Sequence, residues 1–125
     1  MGLKLKFLPE RFAVCRLWPD TELPHWAMSG AFRSVTRTPN ELSIVCEESL
    51  VPDAVTAEPG WRCLMVEGPL DFSLTGILLS IAGPLARAGV SIFAVSTFNT
   101  DYVLVKESSI PEAIRALTGS GHEVM

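Results

Sequence analysis

The chain has 125 residues and a net charge of −4, with 48% hydrophobic and 19% charged residues. This size and balance fit one compact domain or two small units with a buried core, so the chain need not be disordered. The pI of about 5.1 argues against a general nucleic-acid binder and against a partner of anionic membranes, because either would carry a basic face.

The N-terminal half predicts four short strands, over residues 4–8, 11–17, 31–36 and 42–46. The segments between them are rich in proline and too short for full helices. Two interpretations stay open for this half. It is either a degenerate copy of the C-terminal half with its helices reduced to single turns, or a β extension that covers one sheet edge.

The C-terminal half is more regular and begins with a predicted strand over Trp61–Glu67. A helix follows, with Ser73 as its N-cap and Gly89 at its end. Pro84 lies inside this helix, where it removes one hydrogen bond and clashes with the Ser80 carbonyl, so we expect a kink or an early last turn. The apolar residues recur at the spacing of one helix face: Leu74, Ile77, Leu78, Ile81, Ala82, Leu85 and Ala86.

The rest of this half predicts two more strands, a second helix and a short last strand. Val90–Phe98 is apolar on both faces, and a tight turn joins it to Tyr102–Lys106, so these two strands must be antiparallel. Ser109 opens the helix, with Glu112 three residues later as a capping box, and His122–Met125 is the last strand. The order β-α-β-β-α-β predicts an α+β, ferredoxin-like fold.

The loop from Gly68 to Gly76 is the first candidate for a binding site. The first backbone N–H groups of a helix lack partners and favour a carboxylate. Gly76 is a weak helix former in the first turn, and its missing side chain would let a ligand approach the backbone. The alternative is that Asp71 and Ser73 only cap the helix while Gly76 packs against a strand. Both interpretations stay open on these residues alone.

Asp101 is the second candidate, at the turn between two apolar strands. Its carboxylate could hold an ammonium or guanidinium group, and the tight turn is expected to bring it near Ser91. The residues alone favour the simpler interpretation, in which Asn99 and Asp101 are ordinary turn formers.

The sequence offers no convincing catalytic, metal or cofactor site. Glu47 and Glu48 are adjacent on a strand, so they point to opposite faces and cannot act as an acid–base pair. Cys15, Cys46 and Cys63 lie in apolar runs without CxxC spacing, and we interpret them as small buried hydrophobes. We therefore expect no enzyme, no metal and no cofactor.

The chain resembles ACT domains of the amino-acid-sensing type, which include small bacterial ACT proteins and the cytosolic arginine sensors of animals. The most specific segment is AGVSIFAVSTFNTDYVLV, and IAGPLA before it fits as well. FRSVTRTPNELSIVCEE is similar to the degenerate unit that precedes the regular one in such proteins. The resemblance implies two ACT-like units in tandem, with a degenerate unit over residues 1–60 and a regular unit over residues 61–125.

The resemblance also implies a ligand site and a dimer. ACT domains are regulatory modules that bind amino acids or similar small ligands, usually where two domains meet. Since the sensors hold two pairs of units and this chain holds one pair, the same interface would require a homodimer. The resemblance does not carry arginine over as the ligand, because the two halves of the sensors are not identical. The implied ligand-binding residues are Ser73, Leu74, Thr75, Gly76, Ser91, Ile92 and Asp101.

The leading hypothesis is therefore a regulatory module that binds an amino acid in a homodimer, with neither nucleic acid nor membrane as partner. The alternative is a protein-interaction module that binds no ligand. A cytoplasmic location is expected, because the N-terminus lacks the apolar stretch of a signal peptide and no apolar run could span a bilayer.

Overall fold

The computed structural model describes residues 2–68, 70–71 and 75–125, which form two compact units. One unit, here called the C-terminal unit, consists of Met1–Pro9 and Arg62–Met125, and the N-terminal unit consists of Glu10–Trp61. The sequence had placed everything up to residue 60 in the first unit. The structure instead groups the first nine residues with the C-terminal unit, because the first strand pairs there before it continues into the N-terminal unit.

Within the described residues, strands β1 to β7 and helices α1 and α2 give the fold. The strands are Lys4–Leu17, Ser34–Arg37, Leu42–Glu47, Thr56–Val66, Ile92–Ser96, Asp101–Lys106 and Glu123–Val124, and the helices are Ile77–Arg87 and Ile110–Gly119. From β4 onward the order is β4-α1-β5-β6-α2-β7, which confirms the predicted α+β, ferredoxin-like fold.

The sheet of the C-terminal unit follows the order β7-β1-β4-β6-β5. The start of β1 pairs with β7 in parallel, so a strand from the N-terminus lies between the last and the first strand of the predicted motif. β5 and β6 pair antiparallel, as predicted, with Ile92 opposite Val105 and Ser96 opposite Asp101. Both helices contribute to a core centred on Leu64, Ile81, Leu85, Val105 and Leu117.

Helix α1 begins later than the predicted Leu74. Its N-cap is Gly76, whose φ of 76° is in the left-handed region, and the predicted cap Ser73 lies outside the described residues. Pro84 is inside the helix as predicted. The helix continues to Arg87, and Gly89 ends it with a φ of 75°.

A buried histidine supports the proline-containing part of this helix. His122 is 5% exposed, and its Nε2 lies 2.8 Å from the carbonyl oxygen of Ser80, the residue one turn before Pro84. The backbone N–H of Leu3 donates to His122 Nδ1 at 3.1 Å. Because Nδ1 accepts this hydrogen bond, Nε2 carries the proton and donates to Ser80.

Helix α2 forms where predicted, but its predicted capping box is wrong. Ser109 is the N-cap residue and makes no side-chain cap hydrogen bond, and Glu112 lies 3.3 Å from Arg115 instead. A capping box needs an extended N-cap residue. Here a 3-10 turn over Glu107–Ser109 leads straight into the helix, and Ser109 has φ −97° and ψ 2°.

The N-terminal unit is a small antiparallel sheet with its own core. The second part of β1 pairs with β3, and β2 pairs with the other side of β3. Residues 10–61, all of them described, contain 3-10 turns at His25–Met28 and Glu48–Leu50 but no α-helix. The first turn follows β1 and the second follows β3, and the degenerate-copy interpretation of this half stays a prediction.

The three cysteines are free and buried, as the sequence predicted. Cys15 and Cys46 belong to the core of the N-terminal unit. Burial raises the pKa of the Cys63 thiol to about 12, and a hydrogen bond with Cys46, followed by burial, raises the pKa of Cys15. No helix in the described part of the chain is long and apolar enough to cross a membrane.

Candidate functional site

A pocket of about 190 Å³ opens where the β5–β6 turn meets the loop before α1. The turn, residues 96–101, forms one wall, and Leu70, Asp71 and Ile77 form the other. All of these residues belong to the C-terminal unit. The pocket thus combines the two segments that the sequence had singled out separately.

Hydrogen bonds of two threonines fix the shape of the turn. The backbone N–H and the hydroxyl of Thr97 both donate to the carbonyl oxygen of Thr100, each at 2.9 Å. The hydroxyl of Thr100, which is 7% exposed, donates to the carbonyl oxygen of Val66 at 2.6 Å. The turn is therefore attached to the end of β4 as well as closed on itself.

The loop before α1 is attached to the same turn. The backbone N–H of Leu70 donates to the carbonyl oxygen of Asn99 at 2.7 Å. A side chain at Gly68 would place its Cβ 3.0 Å from that oxygen, so glycine permits the close approach of loop and turn. Both walls of the pocket are therefore held in place by backbone contacts.

Two carboxylates give the pocket a negative lining. Asp101 is half-buried and lies opposite Ser96 at the end of the β5–β6 ladder, and Asp71 lies on the other wall. Among the described lining residues there is no Lys, Arg or His. A carboxylate in such a place can hold an ammonium or guanidinium group through charge-assisted hydrogen bonds.

Of the predicted site residues, Asp101 lines the pocket, and Thr75 and Gly76 directly precede its lining residue Ile77. Thr75 and Gly76 are both exposed. Nothing lies within 4 Å of a Cβ built on Gly76, so this glycine does not pack against a strand. Glycine is favoured at this position because the backbone φ is positive. The predicted site residues Ser73 and Leu74 lie outside the described residues.

The expected proximity of Ser91 to Asp101 is wrong within one chain. Asp101 faces Ser96, whereas Ser91 immediately precedes Ile92, at the opposite end of the β5–β6 ladder. Ser96 is five residue steps along the chain from Ser91, which is roughly 17 Å at the usual rise per residue of a strand. Ile92 is partly buried against the core of the C-terminal unit.

Sequence reasoning missed the residues that build the turn. Ser96, Thr97 and Thr100 line the pocket, and both threonines form the hydrogen bonds described above. The signal that could have found them is two threonines flanking a short turn, because threonine hydroxyls often bond to nearby backbone groups.

The described residues contain no group of three or more His, Cys, Asp or Glu side chains that could hold a metal ion. Glu47 and Glu48, examined from the sequence as an acid–base pair, have separate structural roles. Glu47 accepts a hydrogen bond from the backbone N–H of Ala31 at 3.0 Å, and Glu48 accepts one from that of Gly60 at 2.7 Å.

Comparison with known families decides what this fold is. The family model of the ACT domain matches residues 56–119, which is half of the chain. The chain belongs to the ACT-domain family. A separate model, for an N-terminal domain, matches residues 10–54. The ACT match contains the pocket at the β5–β6 turn.

Curated relatives include proteins named as amino-acid sensors. The human protein named cytosolic arginine sensor for mTORC1 subunit 1 is 47% identical over 58 residues, which cover 46% of this chain and 18% of the sensor. The human protein named CASTOR3P is 31% identical over 100 residues, covering 70% of this chain and 61% of the relative. The chain thus matches less than two thirds of the length of either relative.

Solved structures show the same fold. An Agobacterium tumefaciens protein is 40% identical, with a TM-score of 0.95, and the match covers 100% of this chain and 93% of that one. A structure of aspartokinase alpha and beta subunits has a TM-score of 0.66 at 16% identity, covering 96% of this chain and 98% of the other. At that identity the second likeness supports the fold alone.

Proposed function

We propose that this chain is a regulatory module that binds an amino acid at an interface between the ACT units of a homodimer. The observation that carries the proposal is the negatively lined pocket with Asp101 at its edge. In this proposal Asp101 receives the ammonium group of the ligand. The name of the related arginine sensors supports an amino acid as the class of ligand.

We assign the carboxylate of the ligand to the start of α1. Gly76, the N-cap residue of α1, has no side chain to cap the helix. The first N–H groups of the helix carry partial positive charge and favour a carboxylate. An amino acid would thus have its carboxylate near Thr75 and Gly76 and its ammonium group at Asp101.

The homodimer in this proposal rests on the positions of Ser91 and Asp101, both of which the resemblance to ACT domains assigns to the ligand site. Because they lie at opposite ends of one hairpin, they can contribute to one site only if they come from different copies. β5 stands at the end of the strand order, with β6 as its neighbour. Antiparallel association of two copies along β5 would bring the start of β5 in one copy to the turn of the other.

Such a site links ligand binding to assembly. A ligand that contacts both copies binds the dimer more tightly than the monomer, so it stabilises the dimer by mass action. We propose this coupling as the way in which the module signals.

The second candidate is an interaction module without a ligand. Leu79 is 72% exposed and Phe98 is 78% exposed, and large exposed apolar side chains are typical of surfaces that bind another protein. Two results together would favour this candidate. One is a dimer whose Tm no amino acid changes, and the other is loss of binding to a partner protein when Phe98 is substituted.

The proposal is tested by a thermal-shift screen of the amino acids on the wild-type chain and on Asp101→Asn. We expect at least one amino acid to raise the Tm of the wild type and to lose most of that effect in Asp101→Asn, because the amide removes the charge that holds the ammonium group. Asp53→Asn, an exposed carboxylate in the N-terminal unit, is the matched control and should respond as the wild type does. No response from the wild type, or a full response from Asp101→Asn, would show that the proposed site is wrong.

A further inference from the structure

The N-terminal unit has a surface pocket of its own, at the end of the β1–β3 ladder. It has a volume of about 260 Å³ and is lined by Arg16, Leu17, Trp18, Asn40 and Thr56. An adjoining pocket of about 230 Å³ shares Arg16, Leu17, Trp18 and Thr56 with it. We call this joint feature the Trp18 pocket. All of its residues belong to the N-terminal unit. The pocket at the β5–β6 turn, here called the ACT pocket, belongs to the C-terminal unit.

Trp18 is exposed although its loop is held firmly. Its side chain is 80% exposed, which is unusual for the residue type with the largest apolar surface. The guanidinium group of Arg37 donates to the carbonyl oxygens of Pro19 and Thr21, the second at 2.8 Å. The N–H of Thr21 also donates to the carbonyl oxygen of Trp18 at 3.1 Å. Hydrogen bonds therefore hold the turn in place, and the indole on it is exposed to solvent.

Arg16 brings a positive charge to the same pocket. In the described part of the chain its guanidinium group makes no hydrogen bond, ion pair or ring contact, and the same holds for the indole of Trp18. Arg37, by contrast, is occupied by two carbonyl oxygens. Arg16 is thus the cation in this pocket that is available to an anion from outside.

The chemistry of the lining defines the class of ligand. A flat ring can stack on the indole face, and a guanidinium group binds a carboxylate through two parallel hydrogen bonds. The amide of Asn40 and the hydroxyl of Thr56 offer polar contacts at the rim. Each of the two adjoining pockets, at about 260 and 230 Å³, is below the usual range for drug-sized ligands, about 300 to 1,000 Å³, so we expect a small ligand.

We propose that the Trp18 pocket is a second binding site, separate from the ACT pocket, which takes a small flat molecule that carries a carboxylate. The site has an exposed indole on a hydrogen-bonded turn, a free guanidinium group and polar lining groups, all on one unit of the chain. It goes beyond the proposed amino-acid site, because it requires neither Asp101 nor a second copy.

The experiment is a calorimetric titration of the full chain with benzoate, benzamide and cyclohexanecarboxylate. We expect saturable binding of benzoate. Benzamide should bind roughly tenfold more weakly, because it lacks the charge that pairs with Arg16. Cyclohexanecarboxylate keeps the charge but loses the flat face and should also bind several-fold more weakly than benzoate.

Variants separate this pocket from other sites. Arg16→Gln should weaken benzoate binding roughly tenfold and remove the preference for benzoate over benzamide, and Trp18→Ala should abolish the binding. Both side chains are exposed, so circular dichroism should show unchanged folding. Arg87→Gln, an exposed arginine in α1, is the matched control and should bind benzoate like the wild type.

Two results with benzoate, on the wild type and on the pocket variants, would overturn the proposal. One is no saturable binding of benzoate to the wild type, and the other is wild-type binding by Arg16→Gln and Trp18→Ala. Asp101→Asn should leave benzoate binding unchanged. A loss of benzoate binding in Asp101→Asn would place benzoate in the ACT pocket and would also contradict a second site, so failure here and failure of the amino-acid site are distinguishable.

Discussion

At the scale of single residues, Pro84 and His122 form a matched pair. Pro84 has no N–H, so the carbonyl oxygen of Ser80 loses its usual partner in the helix. His122, which lies between α2 and β7, donates to that oxygen and accepts from the N–H of Leu3. One buried ring therefore satisfies two backbone groups that would otherwise lack partners.

We expect His122→Ala to lower the free energy of unfolding by roughly 2 kcal/mol or more, because two backbone groups lose their hydrogen bonds at once. Urea denaturation measures this loss. His25→Ala is the control, because His25 is exposed and its removal should change stability by less than about 0.5 kcal/mol. Equal stability of the two variants would contradict the role given to His122.

The sequence predicted one pocket residue, Asp101, from its place at a turn between two apolar strands. It did not predict that Thr97 and Thr100 would fix the turn, because their bonds depend on how the turn closes and on the position of β4. The predicted proximity of Ser91 to Asp101 was wrong for a related reason. A tight turn places the residues nearest the turn opposite each other, and those are Ser96 and Asp101.

At the scale of elements, the apolar periodicity predicted both helices, while their exact starts depended on the backbone. Gly76 is an example, since its positive φ allows the chain to enter α1 from the loop. Nothing lies within 4 Å of a Cβ built there. The cost of a side chain at this position is therefore conformational and does not come from a clash.

We expect Gly76→Ala to lower the free energy of unfolding by about 1–2 kcal/mol, the usual cost of the left-handed conformation for an L-residue. Gly119→Ala is the matched control. Gly119 ends α2, also has open space at its Cβ and has no positive φ. It should be neutral or stabilising by up to about 1 kcal/mol. Thermal unfolding of both variants checks the difference, and a neutral Gly76→Ala would contradict the argument.

Strand β1 shows what the local pattern could not reveal. The sequence predicted two strands, over residues 4–8 and 11–17, but Lys4–Leu17 is one strand. Pro9 falls between the stretch that pairs with β7 at Lys4 and Leu5 and the stretch that pairs with β3 from Phe12 onward. Proline is tolerated in a strand where its missing N–H is not required by a neighbour. Which neighbour lies beside each residue is set by tertiary structure.

At the scale of the whole molecule, the proposed function depends on association of two copies along β5. Ala94 is exposed in the middle of β5. We expect Ala94→Glu to convert the proposed dimer to monomers, because a charge at the edge of a sheet opposes pairing with another strand. Sedimentation velocity measures the change.

The control for this prediction is Val35→Glu, which adds the same charge to exposed β2 in the N-terminal unit. It should leave the dimer intact. A monomeric wild type, or a dimer that is unchanged in Ala94→Glu, would contradict association along β5.

The most direct test of the central claim, that two copies share each amino-acid site, is ligand stoichiometry in a mixed dimer. One copy would carry Ser91→Phe and the other Asp101→Asn, with different affinity tags for purification. Neither variant alone should bind the amino acid found by the thermal-shift screen. The mixed dimer should bind one molecule, because one of its two sites joins an intact Ser91 to an intact Asp101. A mixed dimer that binds no ligand, or either variant binding on its own at the wild-type stoichiometry, would contradict a site shared between copies.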